Sequence, residues 1–229
     1  MREIVFDTET TGLDPRTGDR MVEIGCIELE NLVPTGRTFH AYFNPERDMP
    51  AGAEAVHGLS AAFLADKPRF RDKAAELLEF LCDVRLVAHN AGFDFAFLNH
   101  ELGLCQLEAV CTTRMVDTVA LARKRHPGAK NSLDALCARY GIDRSHRVKH
   151  GALLDAELLA QVYVELCGGR QIGLELAAEE RGVARQIFSE LRKAPTGERR
   201  EPRVHVPSEA ELARHKAFVG TMQAPLWGA

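Results

Sequence analysis

Three short segments carry side chains able to do acid–base or metal chemistry. In the first, the apolar run IVF leads straight into Asp7-Thr8-Glu9-Thr10-Thr11-Gly12. Residues two apart on a strand share a face, so Asp7 and Glu9 set two carboxylates side by side at a strand end. Like charges that close repel unless a cation lies between them, and oxygen ligands suit a hard ion such as Mg²⁺ or Mn²⁺. The competing reading is a solvated turn in which Asp7 caps the local backbone. The second segment, His89-Asn90-Ala91-Gly92-Phe93-Asp94-Phe95-Ala96-Phe97-Leu98, sets Asp94 among phenylalanines one turn into a predicted helix. A carboxylate buried there needs a partner; otherwise Asp94 points outward while the phenylalanines face the core.

The third segment is His150-Gly151-Ala152-Leu153-Leu154-Asp155. Five residues turn a helix through about 500°, so two side chains on one regular helix would diverge by about 140°. His150 and Asp155 converge only if His150 sits on the loop before the helix, which Gly151 permits. The alternative for His150 is a surface histidine in a basic loop. Four carboxylates and one histidine can together hold two cations about 4 Å apart, the apparatus for in-line hydrolysis of a phosphodiester. One ion would activate the attacking water and the other would stabilise the leaving 3′-oxygen. His150 would take the water's proton, a contribution worth about 10² to 10⁴ in rate.

These side chains need a scaffold. REIVFD (2–7), MVEIGCIELE (21–30) and RTFHAYF (37–43) are rich in β-branched and aromatic residues, with turn residues between them, and predict an antiparallel meander. From Phe70 the pattern becomes helix (70–81), strand (85–89), helix (93–102) and strand (107–111), a rhythm that favours parallel pairing. A mixed α/β sheet follows. NSLDALCARYG (131–141) opens on a polar cap and closes on Gly141, and LLDAELLAQVYVEL (153–166) carries a broad apolar face, so both predict helices.

The chain has 229 residues, 45% hydrophobic and 27% charged, within the globular range, which excludes wholly disordered, collagen-like and coiled-coil classes. No apolar run approaches the roughly 18 residues of a membrane span, and acidic residues arrive before any signal-peptide core could form; the expectation is a soluble, cytoplasmic protein without a membrane partner. The six cysteines form neither a zinc nor a disulfide pattern. A net charge of −4 argues against gripping nucleic acid through a broad basic surface but leaves a small local site open. Basic residues cluster at 123–130 and 144–150, which reads most simply as solvated loops.

The composition changes near residue 180. Pro195, Pro202, Pro207 and Pro225 crowd the last 35 residues, and residues 177–202 read as a flexible linker. Beyond it, Ser208 and Glu211 have capping-box spacing and predict a helix over 209–219. Leu226 and Trp227 then form an exposed apolar anchor suited to a partner.

DTETTG (7–12), HNAGFDFAFL (89–98) and HGALLD (150–155), in that order, resemble the three motifs of the DnaQ-like DEDDh 3′–5′ exonucleases. VHGL (56–59) and SLDALCARYGID (132–143) extend the likeness toward members that proofread for bacterial replicative polymerases. The resemblance implies a ribonuclease-H-like fold, a mixed five-stranded sheet flanked by helices, over residues 1–170. It implies Asp7, Glu9, Asp94 and Asp155 as ligands of two Mg²⁺ or Mn²⁺ ions and His150 as general base, with Asp7, Glu9 and Asp155 also touching the substrate. His57 would stand near the terminal nucleotide of a DNA 3′ end, or else merely cap a turn. Asn90 and Phe93 would orient or stack on that end, although Phe93 reads equally well as core.

The resemblance to proofreading members extends to the C-terminal part. Gln171, Leu174 and Leu176, in residues 171–176, have the spacing of a sliding-clamp peptide, with Leu176 where an aromatic is common; the alternative is a frayed helix end. Residues 203–229, with Leu226 and Trp227, resemble a polymerase-binding tail. A linker of such length has a span of roughly 25 to 33 Å and would hold the enzyme near the primer end at mM effective concentration. The implied function is proofreading removal of mismatched 3′-terminal nucleotides. The alternatives are a free-standing exonuclease trimming RNA or DNA repair intermediates, and a non-catalytic module that stabilises a polymerase.

Overall fold

The central strand of the sheet is buried on both faces. This strand, β1 (Arg2–Thr10), sends Ile4 and Phe6 to one side of the sheet and Val5, Asp7 and Glu9 to the other. The computed structural model describes residues 1–145, 150–169 and 206–222. β1 pairs antiparallel with β2 (Met21–Glu30), which pairs antiparallel with β3 (Val33–Tyr42). On its other edge β1 pairs parallel with β4 (Arg85–Ala88), which pairs parallel with β5 (Met115–Asp117). The strand order is therefore β3-β2-β1-β4-β5, a mixed five-stranded sheet as the sequence predicts.

Asn31 and Leu32 both adopt positive φ (51° and 65°), the backbone a tight β2–β3 hairpin requires. β3 starts at Val33, earlier than its aromatic stretch suggests, because an edge strand tolerates Pro34. Two short helices follow, α1 (Ala51–His57) and α2 (Ala61–Leu64), then α3 (Phe70–Leu81), at the predicted bounds. α4 (Ala91–Leu104) comes between β4 and β5, and α5 (Thr118–Arg125), α6 (Leu133–Tyr140) and α7 (Ala152–Leu166) follow β5.

α3 and α4 cover one face: Phe70, Leu77 and Leu81 with Phe95, Leu98 and Leu102 pack on Ile4, Phe6, Ile24 and Leu86. α7 covers the other, setting Ala156, Leu159, Ala160 and Tyr163 on Val5, Ile27, Leu29 and Val87. Ala122 of α5 and Leu136 of α6 seal α7 from outside against Leu158 and Val162.

The predicted strand over 107–111 does not form. Asn99 of α4 donates its amide to Val110 O (3.1 Å) and accepts from Val110 N (2.8 Å). A side chain thus satisfies the backbone that a strand would have paired, and the fifth strand lies later, at Met115–Asp117.

The chain divides into two units, Met1–Leu174 and Glu175–Ala229. Within the second, α8 (Glu209–Val219) carries the expected capping box: Ser208 N donates to Glu211 Oε2 at 2.8 Å and Ser208 Oγ accepts from Glu211 N. The segments 171–176 and 177–202, with Gln171, Leu174, Leu176, Leu226 and Trp227, lie outside the described residues. No helix among the described residues is long and apolar enough to cross a membrane.

Candidate active site

The C-terminal end of β1 opens into a cleft of about 660 Å³. Asp7 and Glu9 enter from the strand, Asp94 from the first turn of α4, Asp155 from the first turn of α7 and His150 from the loop before it. Asn90 and Phe93 also line this cleft.

β1 serves two faces at once. Asp7 stands opposite Gly25 and Glu9 opposite Glu23 on the α7 side. Thr8, between them, points to the α4 side, where its hydroxyl donates to Asp94 Oδ1 at 2.7 Å. The partner that the sequence required for Asp94 is therefore the residue between the two strand carboxylates. Strand alternation contained that signal, but only the packing of α4 shows which residue it meets. Burial pushes the Asp94 carboxyl up to about 7, against the opposing pull of the Thr8 hydrogen bond.

α4 enters this position through Asn90, whose φ of 68° and ψ of 49° lie in the left-handed region. Its backbone N–H donates to Asp117 Oδ1 (3.1 Å), and the same oxygen accepts from Val119 N (2.9 Å) as the N-cap of α5. One carboxylate thereby joins the starts of two helices at the rim of the cleft. Nearby, His89 Nδ1 lies 2.8 Å from Thr118 Oγ1, and burial holds the imidazole below its ordinary pKa.

His150 precedes α7 on a loop, with Gly151 extended at the N-cap. Its Nδ1 lies 3.1 Å from Asp155 Oδ2, and its backbone N–H donates to Val56 O at the end of α1. The side chain of His150 is 47% exposed, whereas that of Asp155 is 4% exposed. One ligand atom each from Glu9, His150 and Asp155 falls within 4.8 Å of the others. Oxygen-rich donors so close, beside a buried Asp94 that resists ionising, fit a hard divalent cation.

One expected contact stands apart from the cleft lining. His57 ends α1, buried to 5% exposure, and its Nδ1 accepts from Leu59 N at 3.0 Å, the loop-capping arrangement; it is not among the residues lining the cleft. Phe93 does both things weighed for it, lining the cleft while packing on Phe97 at a centroid distance of 4.9 Å. The cleft also includes Arg123, Asn131, Ser132 and Asp134, which the motifs did not single out.

Residues 4–163 match the RNase_T family model, described as Exonuclease. Proteins named DNA polymerase III subunit epsilon are similar over nearly the whole chain. That of Rickettsia felis is 48% identical, with 97% of each chain covered. That of Escherichia coli is 39% identical, covering 97% of this chain and 93% of its own. Among solved structures, exonuclease X in complex with 5′ overhanging duplex DNA aligns at a TM-score of 0.58 and 26% identity, covering 72% of this chain and 90% of its own. The nuclease domain of 3′hExo, a DEDDh family member bound to rAMP, aligns at 0.64 over 77% of this chain and 94% of its own; at 18% identity it speaks for the fold alone.

Proposed function

Because the chain belongs to the exonuclease family of the DNA polymerase III epsilon subunits and is a 3′–5′ exonuclease, we propose that it proofreads for a replicative polymerase, removing mismatched nucleotides from a DNA 3′ end. The reading of the site rests on one observation. Asp155 and His150 on one side and Glu9 on the other bring ligand atoms within 4.8 Å at the mouth of a cleft that Asp7 and Asp94 also line.

In this reading Asp7, Glu9, Asp94 and Asp155 hold two divalent ions, Mg²⁺ or Mn²⁺. Bound there, the ions would supply Lewis-acid stabilisation at the attacking and leaving oxygens. With Nδ1–H donating to Asp155, the imidazole of His150 keeps its lone pair on Nε2 and takes a proton from the attacking water. The new P–O bond forms as the bond to the 3′-oxygen breaks. The products are a nucleoside 5′-monophosphate and a strand one residue shorter, whose 3′-oxygen takes up a proton. Asn90 and Phe93 would bear on the terminal nucleotide, and His57 would support the loop beside His150.

We assign residues 1–170 to the nuclease domain, 171–176 to a sliding-clamp contact through Gln171, Leu174 and Leu176, and 177–202 to the tether. Residues 203–229, with Leu226 and Trp227, would dock on the polymerase III alpha subunit. The exposed Leu212 and Phe218 on α8 support that assignment, since each leaves apolar surface for a partner to cover. Action on DNA beside a bacterial replicative polymerase would place the protein in the cytoplasm.

The test is digestion of 5′-labelled DNA and RNA oligonucleotides, with matched or mismatched 3′ ends, in Mg²⁺ or EDTA. A ladder shrinking from the DNA 3′ end, faster at mismatches and abolished by EDTA, is expected. A preference for RNA would favour the free-standing trimming enzyme, and no cleavage would favour the non-catalytic module.

A further inference from the structure

The basic run that closes α5, Arg123-Lys124-Arg125-His126, is divided by the fold into separate tasks. Arg125 turns back into the protein, its Nη1 donating to Leu166 O (2.9 Å) at the C-terminal end of α7. His126 Nε2 lies 2.7 Å from the Tyr140 hydroxyl. Arg123 does neither. One helical turn after Val119, it shares that residue's face and lines the catalytic cleft. Among the described residues it is the one lysine or arginine that lines the cleft, and its side chain has no hydrogen bond or ion pair with them.

The same end of the cleft receives the start of α6. Ser132, its N-cap, and Leu133 and Asp134 of its first turn are lining residues, so the positive end of the helix dipole faces the cavity. The Asp134 carboxylate does not cancel this, because Arg144 Nη1 holds it at 2.9 Å. The cleft is thus polar along its length: acidic where β1 and α7 meet, positive where α5 and α6 meet.

A nucleic-acid strand whose reacting phosphate lies at the acidic end must lay its next phosphate away from it. We propose that Arg123, supported by the N-terminus of α6, holds the phosphodiester one nucleotide on the 5′ side of the scissile bond. The inference rests on the exonuclease reading and gives it a second anchor for the strand. A guanidinium suits the task, since its planar fork can take two phosphate oxygens at once. The contact carries no sequence information, as an enzyme that trims any 3′ end requires.

The experiment compares two substrates. The p-nitrophenyl ester of thymidine 5′-monophosphate contains the reacting phosphate and no other, whereas an oligothymidylate also presents the next one. In Arg123→Ala, KM is expected to rise about tenfold more for the oligonucleotide than for the ester, with Arg123→Lys in between. The salt dependence of oligonucleotide affinity should weaken by about 0.7 in log–log slope, the share of one phosphate. Equal losses on both substrates, or no loss on the oligonucleotide, would overturn the assignment. Fluorescence anisotropy of labelled oligothymidylate in EDTA separates the contact from the reaction: affinity should fall about tenfold in Arg123→Ala. An inactive wild-type protein that still binds through Arg123 would overturn the nuclease reading and leave the contact standing, while unchanged anisotropy would sink the contact alone.

Discussion

Gly25 of β2 and Leu153 of α7 meet where no side chain fits between them. A Cβ on Gly25 would lie 2.3 Å from both the N and the Cα of Leu153, and 2.5 Å from the carbonyl carbon of Ala152. Gly25 stands opposite Asp7 in the sheet, so the missing side chain lets the first turn of α7 sit directly beside the strand carboxylates. That seating sets Asp155 and His150 within reach of Glu9.

Gly25→Ala is therefore expected to move the start of α7 by about an ångström, enough to lower kcat on the order of 10²-fold. Overpacking should cost about 1–3 kcal/mol of stability. Steady-state kinetics beside a thermal melt checks both. Full activity in the alanine variant would show that α7 tolerates the shift.

Asp94 predicts an inverted pH dependence in the metal-free protein. Its carboxyl is pushed up to about 7 from an ordinary value of 3.8. Between those limits the unfolded chain releases this proton while the folded chain keeps it, so stability falls as pH rises through that window. In EDTA at neutral pH, Asp94→Asn should melt above the wild type, the gap closing toward pH 4. Saturating Mg²⁺ or Mn²⁺ should reverse the order. At a metal concentration 100 times Kd the wild type gains about 2.7 kcal/mol, or about 5–10 °C in Tm. Differential scanning calorimetry with and without metal reads this directly.

His150→Ala should lower kcat by about 10² to 10⁴. The metal-induced rise in Tm should survive, because four carboxylates remain. If that rise disappears along with activity, His150 is a ligand rather than a base, an outcome its closeness to Glu9 and Asp155 makes worth measuring.

Arg20 and Glu101 form a two-pronged ion pair, Nε to Oε1 at 2.7 Å and Nη2 to Oε2 at 2.8 Å, with Glu101 only 1% exposed. Glu101 Oε1 also accepts from Met21 N, so it holds the start of β2 to α4. Glu101→Ala leaves Arg20 without this partner and should cost about 3–5 kcal/mol, a drop of about 6–20 °C in Tm. At a permissive temperature its kcat should suffer far less than that of Gly25→Ala, since the pair lies outside the residues lining the cleft.

A chain ending at Gly169 should still shorten free oligonucleotides and should fail to retain the polymerase III alpha subunit in a pull-down. Retention by the shortened chain would move the docking surface onto the nuclease unit.

Local rules were enough for much of the scaffold. β2 and α3 occupy the residues that alternation and helical periodicity indicate, and Gly141 ends α6 in the left-handed conformation expected of it (φ 66°). They failed at 107–111, where Leu107 and Val110 look like strand residues but Asn99 takes the backbone hydrogen bonds. His57 shows the same ambiguity in a single side chain, since a motif neighbour and a loop cap look alike in sequence.

The acids and the histidine, their order along the chain and the need for a loop before Asp155 follow from residue type and short-range geometry, which depend on neighbours within a turn or two. Which distant groups meet is a different matter. Thr8 reaching Asp94, Gly25 admitting Leu153, and Arg123 rather than Arg125 facing the cleft all depend on how α4, α5 and α7 seat on the sheet. Those seatings are set by side-chain packing across the core, a property of the folded whole that no single stretch of the chain contains.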